Sequence, residues 1–339
     1  MPKRILITGA AGFIGSSLAG YLARRGYEVL GLDSLTGYYD AEFKVSRLRR
    51  DGFAFADKEA ACGVRTPVES ATIPGLSFIY ADIMDVERLE RIFSDFRPDT
   101  VVNLAACPGV RSSYIDPCAT FATNVGGFFN VLEMMRRVGC RNLVYASSSA
   151  VYGDSPSLPF REVNKREQAA SVYAATKMCD ESLADAYAGS YGFSAKGLRM
   201  FSVYGPWGRP DMAPMLFADA LERGEEITLY DHGRQTRDFT YIDDVIESIA
   251  RLIDLPPMPS TNEIYNIGPG HPVTVLEFLQ QLSQSMGRTP KISEEDAFPG
   301  ESRHTFADSS KLQAVTGYRP TTCLADGIAQ LLEWRATYE

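Results

Sequence analysis

Histidine is scarce in this chain. Its 339 residues hold three, His232, His271 and His304, far apart from one another. That spacing argues against a histidine metal centre or a histidine general base, and no metal is expected. Cysteine is little used as well. Cys62, Cys107, Cys118, Cys140, Cys179 and Cys323 are scattered, without CxxC or any other ligand spacing, as expected for reduced thiols in a cytoplasmic protein. No apolar run approaches ~18 residues, so no membrane span is expected. The opening Met1-Pro-Lys-Arg4 runs directly into an apolar strand, with no leader-like apolar region and cleavage site. Basic residues are outnumbered, 34 Lys and Arg against 43 Asp and Glu, for a net charge of −9. That balance argues against a nucleic-acid partner and leaves room only for a local basic pocket. Internal repeats and low-complexity runs are missing too.

What is present is enough for a core: 45% of the residues are hydrophobic, and the length suits one large α/β unit or two domains. Apolar runs at Arg4–Thr8, Glu28–Leu32, Ser77–Tyr80, Thr100–Leu104 and Asn142–Tyr145 read as buried parallel strands. Helical patterns at Ile14–Arg25, Val86–Phe96 and Cys118–Val138 alternate with them. This rhythm predicts an α/β fold of Rossmann type, a doubly wound parallel sheet. Asp51–Pro74 (an insertion of about residues 51–76) has no firm period and reads as a loop.

The texture changes near residue 200. Tyr204-Gly-Pro-Trp-Gly-Arg-Pro210 excludes regular structure. Thr236–Tyr241 reads as a short strand, and Ile242–Ile253, Thr274–Met286 and Leu324–Tyr338 as helices. The expected organisation is a dinucleotide-binding domain over residues 1–200 and a smaller C-terminal α/β substrate-binding lobe over 201–339, with some segments returning to the sheet.

Gly9, Gly12 and Gly15 follow the first strand and open a helix. In that context the first glycine allows a sharp turn, the second a close approach of backbone N–H groups to a diphosphate, and the third tight packing of helix on sheet. Asp33 ends the second strand, 18 residues beyond Gly15. A carboxylate there suits the adenosine ribose hydroxyls and repels a 2′-phosphate, which favours NAD over NADP. Asp82-Ile83 follows the third strand, where an adenine would lie, and the small residues of Leu104-Ala-Ala106 follow the fourth, leaving room for a cofactor.

Tyr173 and Lys177 lie one helical turn apart in Ser171-Val-Tyr-Ala-Ala-Thr-Lys177, and Ser147-Ser-Ser149 stands about 25 residues upstream. A free phenol titrates near pH 10, too high for a base at neutral pH. An ammonium on the same helix face, with a positive nicotinamide ring, would stabilise the phenolate. A serine hydroxyl from a strand end can bond the same substrate oxygen. YxxxK alone also fits an exposed helix pair; the glycine turn and the serines give it chemical meaning.

Thr8-Gly-Ala-Ala-Gly-Phe-Ile-Gly15, Ser147-Ser-Ser-Ala-Val-Tyr-Gly153, Tyr173-Ala-Ala-Thr-Lys177 and Arg237-Asp-Phe-Thr-Tyr-Ile-Asp-Asp244 resemble the extended short-chain dehydrogenase/reductases that act on nucleotide sugars. Leu32–Asp40, Ala105–Arg111 and Val203–Ala213 look most like the UDP-glucuronate 4-epimerases within that class. The resemblance implies that Ser148, Tyr173 and Lys177 are catalytic. It implies NAD contacts at Gly9, Gly12, Phe13, Ile14, Gly15, Asp33, Ser34, Asp82, Ile83, Leu104, Ala105, Ala106, Tyr173 and Lys177. Arg237 falls on the arginine that holds the UDP diphosphate and Glu301 on the residue that meets the uridine ribose. Ser202 and Arg209 fall on positions facing the sugar's C5 substituent, and Arg111 and Ser149 join the expected substrate contacts. An arginine suits a carboxylate through a bidentate, charge-assisted pair; an ion pair with Asp211 is the other use open to Arg209. A homodimer through the helices Cys118–Val138 and Val172–Tyr187 is implied as well.

The reaction implied is oxidation at C4 of a UDP-sugar, rotation of the 4-keto intermediate and re-reduction. UDP-glucuronate and UDP-galacturonate are the expected pair. Ala150, Cys107, Glu301 and Phe298 depart from the usual pattern and leave UDP-glucose/UDP-galactose or dual specificity open. Decarboxylases and dehydratases need an acid or base beyond the catalytic serine, and Ser149-Ala150 provides none. A ketoreductase would consume NADH stoichiometrically. A non-catalytic NAD-binding regulator would be expected to have lost the tyrosine or the lysine.

Overall fold

The computed structural model describes residues 2–163 and 168–338. Two compact units emerge. One comprises residues 1–147, 172–198 and 249–264; the other comprises 148–171, 199–248 and 265–339.

The first unit is built from alternating strands and helices. In chain order they are β1 (Arg4–Thr8), α1 (Phe13–Arg24), β2 (Glu28–Asp33), α2 (Ala41–Arg50), α3 (Lys58–Cys62), β3 (Val68–Glu69), β4 (Leu76–Tyr80), α4 (Val86–Phe96), β5 (Thr100–Asn103), α5 (Val110–Ile115), α6 (Pro117–Phe121), α7 (Phe128–Val138), β6 (Asn142–Ala146), α8 (Val172–Tyr191) and β7 (Ser194–Met200). With β12 (Thr261–Ile267) they form an eight-stranded sheet in the order β12-β7-β6-β5-β1-β2-β4-β3. The pairs from β4 through β7 are parallel, and the short β3 runs antiparallel to β4. The strand order reverses at β1, which lies between β2 and β5, so ligand chemistry is expected at the carboxyl ends of these strands. One core cluster joins Leu6, Leu30, Ile79 and Val101 of the sheet to Phe93, Phe128 and Leu132 of the helices, all buried. Each such side chain contributes about 1.5–3 kcal/mol when fully buried.

Two expectations need correction here. Asp51–Pro74 is not wholly loop, because α3 and β3 form inside it. Asp57 caps α3 by accepting the Ala60 N–H at 2.8 Å, and Phe53 and Phe55 stack on each other and pack on Phe78. The helix expected over Cys118–Val138 is broken: α6 passes into a π-helical segment, Ala122–Gly127, before α7. A Cβ on Gly127 would collide with the Ile83 side chain, so the wider turn seats the helix against the loop after β4.

The second unit contains β8 (Val203–Tyr204), α9 (Ala213–Arg223), β9 (Glu226–Tyr230), β10 (Thr236–Arg237), β11 (Thr240–Tyr241), the start of α10 (Ile242–Asp254), β13 (Val273–Thr274), α11 (Val275–Ser285), β14 (Lys291–Glu295), α12 (Ser310–Thr316) and α13 (Leu324–Tyr338). β9 and β14 pair in parallel, as do β8 and β11; β10 and β13 are antiparallel. The single strand expected over Thr236–Tyr241 is two short ones. Between them the Asp238 carboxylate accepts N–H groups from Gly270, His271 and Ala307 at 3.1, 3.0 and 2.8 Å, a draw that interrupts the ladder.

Candidate active site

The first unit places the expected dinucleotide residues around one turn. Gly9 has φ +71°, and a Cβ there would lie 2.8 Å from the Ala105 nitrogen. A Cβ on Gly15 would fall on the Gly9 carbonyl oxygen, so α1 begins pressed against the turn. Gly12 caps α1 with no side chain, which leaves the first-turn N–H groups to serve an anion. Phe13 is buried and Ile14 half-buried behind them. Thr8 links this turn to the next: its Oγ1 donates to Asn103 Oδ1 at 2.7 Å and accepts the Ala105 N–H at 3.1 Å, while its carbonyl accepts the Leu104 N–H at 3.2 Å. Leu104, Ala105 and Ala106 are half-buried.

Asp33 closes the arrangement. Its Oδ2 accepts the Ala11 N–H at 3.1 Å; its Oδ1 accepts the Leu35 N–H at 2.8 Å and faces Lys44 Nζ at 3.4 Å. A carboxylate has roughly four acceptor positions, so three partners leave capacity for a ribose hydroxyl. Ser34, beside it, is half-buried. Asp82 Oδ1 accepts the Met84 N–H at 2.8 Å, shaping the turn after β4, and the Ile83 carbonyl accepts Asn130 Nδ2 at 3.0 Å. A cradle that side chains would fill, an uncapped helix start and an acceptor with room to spare fit an adenine dinucleotide.

Sequence reasoning missed Lys44 and Arg47. Both are buried on α2, and Arg47 donates to the Ala11 carbonyl at 3.2 Å from over the Phe43 ring. Burial pushes the Arg47 guanidinium below its ordinary value, and Tyr39 opposes that. Their signal was the basic i, i+3 pair on the helix that follows the acidic strand end.

Lys177 is buried on α8. Its Nζ donates to the Ala146 carbonyl and to Asp180 Oδ2, each at 3.0 Å. Burial works to lower its pKa; Asp180, then Tyr173, then Glu181 act against burial, and the result lies above the ordinary lysine value. Tyr173, half-buried in the first turn of α8, offers its carbonyl to Thr176 Oγ1 at 2.8 Å. That threonine hydroxyl also accepts Asn124 Nδ2 at 3.0 Å. Asn124, on the π-helical segment, exchanges two bonds with the Cys107 backbone at 2.7 and 3.1 Å, so it ties the loop after β5 to the start of α8. Ser147 bonds Glu181. Arg111 stands exposed on α5.

In the second unit, Ser148 Oγ accepts the Ala150 N–H at 3.1 Å and caps the short turn Ser149–Tyr152. Arg237 and Glu301 come together at 3.7 Å. Arg237 also donates to the carbonyls of Thr236 and Ser302 at 3.0 and 2.8 Å and to Gln235 Oε1 at 2.7 Å, which aims its guanidinium. The Ser202 carbonyl accepts the Thr240 N–H at 2.9 Å. Arg209 meets Asp211 in a bidentate pair, Nε to Oδ1 at 3.1 Å and Nη2 to Oδ2 at 2.6 Å. Among the described residues no cluster suits a metal ion, and no helix is long and apolar enough to cross a membrane.

Sheet order, glycine turn and acidic strand end define a dinucleotide-binding α/β protein. Residues 5–268 match the NAD dependent epimerase/dehydratase family. The chain belongs to that family. It is 37% identical to Protein CapI of Staphylococcus aureus, over 99% of each chain. It is 34% identical to a probable UDP-glucuronate 4-epimerase of Rhizobium meliloti (strain 1021), over 98% of this chain and 96% of that one. The crystal structure of UDP-glucuronic acid 4-epimerase from Bacillus cereus, in complex with UDP-glucuronic acid and NAD, superposes with a TM-score of 0.87 at 30% identity, over 99% of this chain and 100% of the other.

Proposed function

We propose that this protein is an NAD-dependent isomerase that interconverts UDP-glucuronate and UDP-galacturonate by inverting C4. The observation that carries the reading is the buried Lys177 ammonium, fixed on Ala146 and Asp180 one helical turn beyond Tyr173, in a unit that also carries the dinucleotide cradle. The Bacillus cereus relative bound to UDP-glucuronic acid and NAD supports the choice of sugar.

NAD, held by the glycine turn, Asp33, Asp82-Ile83 and Leu104–Ala106, supplies reversible two-electron oxidation of the C4 carbon. Tyr173 takes the C4 hydroxyl proton and later returns it. Lys177 keeps the phenolate stable while it does so. Ser148 hydrogen-bonds the same oxygen, and Ser149 stands next to it in sequence. Arg237 pairs with the diphosphate and Glu301 with the uridine ribose. Arg209, with Ser202 and Arg111, meets the uronate carboxylate and holds it in fixed orientation, which protects the β-keto acid from losing CO₂. Proton and oxidation state are both restored at the end, so no net redox occurs.

The test is incubation of the purified protein with UDP-glucuronate, UDP-glucose and UDP-xylose separately, without added cofactor, with products read by NMR. UDP-galacturonate is expected from the first. No C4 epimer from any of the three would end the epimerase reading. A second reading, dual use of UDP-glucose, is favoured by the Arg209 fork already closed on Asp211.

A homodimer is part of the proposal. Phe121, Phe129, Val172 and Tyr191 are exposed on α6, α7 and α8, an apolar surface that a mate of the same kind would cover. Sedimentation as a monomer would remove it. All six cysteines are free, consistent with work in the cytoplasm.

A further inference from the structure

We propose that Gln235 is a positioning residue: its amide oxygen holds the Arg237 guanidinium clear of Glu301, so that the cation stays open to a diphosphate and the carboxylate to a ribose. The inference rests on the reading of Arg237 and Glu301 as nucleotide contacts and names the residue that sets them.

A guanidinium is donor-only, a rigid fork of N–H groups. Arg237 Nη1 donates to the carbonyls of Thr236 and Ser302 at 3.0 and 2.8 Å, which fixes one arm of the fork. For the other arm, Nη2, Gln235 Oε1 lies at 2.7 Å and Glu301 Oε2 at 3.7 Å. The first distance is a hydrogen bond and the second is longer than one. A carboxylate is the stronger acceptor of the two. An Arg237 released from Gln235 is therefore drawn onto Glu301, and each then blocks the other's ligand. An amide prevents this without cancelling the cation's charge, as a carboxylate in its place would.

The glutamine carries a penalty that its place in the backbone does not explain. Gln235 is 4% exposed, and its Nε2 is buried with no hydrogen-bond partner among the described residues. A buried donor left unbonded loses its hydration without return. Turning the amide over would set its NH₂ group against Arg237, which has no acceptor to offer. The backbone is held without the side chain. The Gln235 carbonyl accepts the Val275 N–H at 2.9 Å, the Thr236 N–H donates to the Arg303 carbonyl at 2.9 Å, and Thr236 pairs with Thr274 of β13. An apolar side chain of the same length would leave no unsatisfied group there. A local rule broken beside a proposed binding pair points to a functional demand, and the one bond the Gln235 amide makes is to Arg237.

The experiment uses the holoenzyme, with UDP as the probe in isothermal titration calorimetry. KM and kcat for UDP-glucuronate and the melting temperature are measured beside it. The variants are Gln235→Met, Arg237→Ala and the two combined; Gln235→Leu serves if the methionine variant fails to fold. Gln235→Met is expected to raise the Kd for UDP and the KM about two- to tenfold, the cost of ordering one long side chain on binding, and to lower kcat by less. It should melt close to the wild type, since the lost bond and the unsatisfied donor leave together. Arg237→Ala should weaken UDP by a larger factor, and adding Gln235→Met to it should change nothing further.

A lower melting temperature with an unmoved Kd is what a merely structural glutamine would give, and it overturns the assignment. So does a loss of UDP affinity that is the same with and without Arg237, because Gln235 would then act elsewhere. If Arg237→Ala weakens UDP while Gln235→Met does not, the Gln235 assignment alone falls and the diphosphate reading stands. UDP binding untouched by Arg237→Ala defeats the diphosphate reading itself, and this inference with it.

Discussion

Asp33 Oδ2 accepts the Ala11 N–H at 3.1 Å, so the carboxylate that ends β2 also anchors the glycine turn that follows β1. The same group holds the Leu35 N–H at 2.8 Å. Asp33→Ala is expected to leave the Ala11 and Leu35 N–H groups unsatisfied and to take the carboxylate away from the buried Lys44 ammonium, a loss of about 1–3 kcal/mol for each N–H and more for the charge, and to remove the acceptor proposed for the adenosine ribose. The variant should purify with less bound NAD and melt at a lower temperature, and saturating NAD should recover only part of the difference. Full NAD content together with an unchanged melting temperature would show that the carboxylate serves neither purpose.

Tyr173→Phe separates chemistry from binding. The ring remains and only the oxygen is lost, so NAD content and UDP-sugar affinity should hold. Removal of a general base lowers turnover by about 10²–10⁴-fold. The measurement is kcat for C4 inversion beside the NAD content of the same preparation. Turnover within a few-fold of wild type would assign the proton transfer elsewhere.

Much of the fold, and the local patterns of the candidate site, are legible in the sequence. Parallel strands buried on both faces write continuous apolar runs, which is why β1, β2, β4, β5 and β6 stand out. The glycines at 9, 12 and 15 and the Tyr173/Lys177 spacing are local patterns of the same kind. What stayed hidden depends on partners distant in sequence. The break between α6 and α7 follows from Ile83 pressing on Gly127 and from Asn124 bridging Cys107 and Thr176, and no periodicity within the helix records either. Lys44, Arg47 and Asp180 read in isolation as a solvated helix face; tertiary packing buries them. The β9–β14 pair joins segments 65 residues apart, Glu226 opposite Lys291, and short polar strands carry little signal of their own.

Stability at low pH should depend on Glu133. Its carboxylate accepts Arg136 at 3.0 and 2.9 Å and the Tyr187 hydroxyl at 2.5 Å, a bond that ties α7 to α8. Arg136 and then Tyr187 hold its pKa down to about 2, from an ordinary 4.5. A carboxylate lowered on folding stabilises the folded state fully above its unfolded value. The contribution is therefore present at neutral pH and fades as pH falls from about 4.5 toward about 2. Glu133→Gln should melt below the wild type near neutrality, and the two curves should converge in acid. A gap that stays constant across that window would mean the charge on Glu133 is not what matters.

Arg209 is the residue proposed to separate a uronate-specific from a permissive pocket. Its Nε and Nη2 are engaged by Asp211 at 3.1 and 2.6 Å, the edge that would best match a substrate carboxylate. If Arg209 meets the uronate, Asp211 competes with the substrate for it. Arg209→Ala should then raise KM for UDP-glucuronate by roughly ten- to a hundredfold, the equivalent of one charge-assisted bond of about 1.5–3 kcal/mol, with little change for UDP-glucose. Asp211→Asn should act in the opposite sense: it keeps a hydrogen-bonding partner but removes the competing charge, so KM for UDP-glucuronate should fall while that for UDP-glucose holds. Steady-state kinetics of both variants on both sugars make the test. Equal losses on the two sugars in Arg209→Ala, with no gain in Asp211→Asn, would reduce the pair to a loop anchor and move carboxylate recognition to another residue.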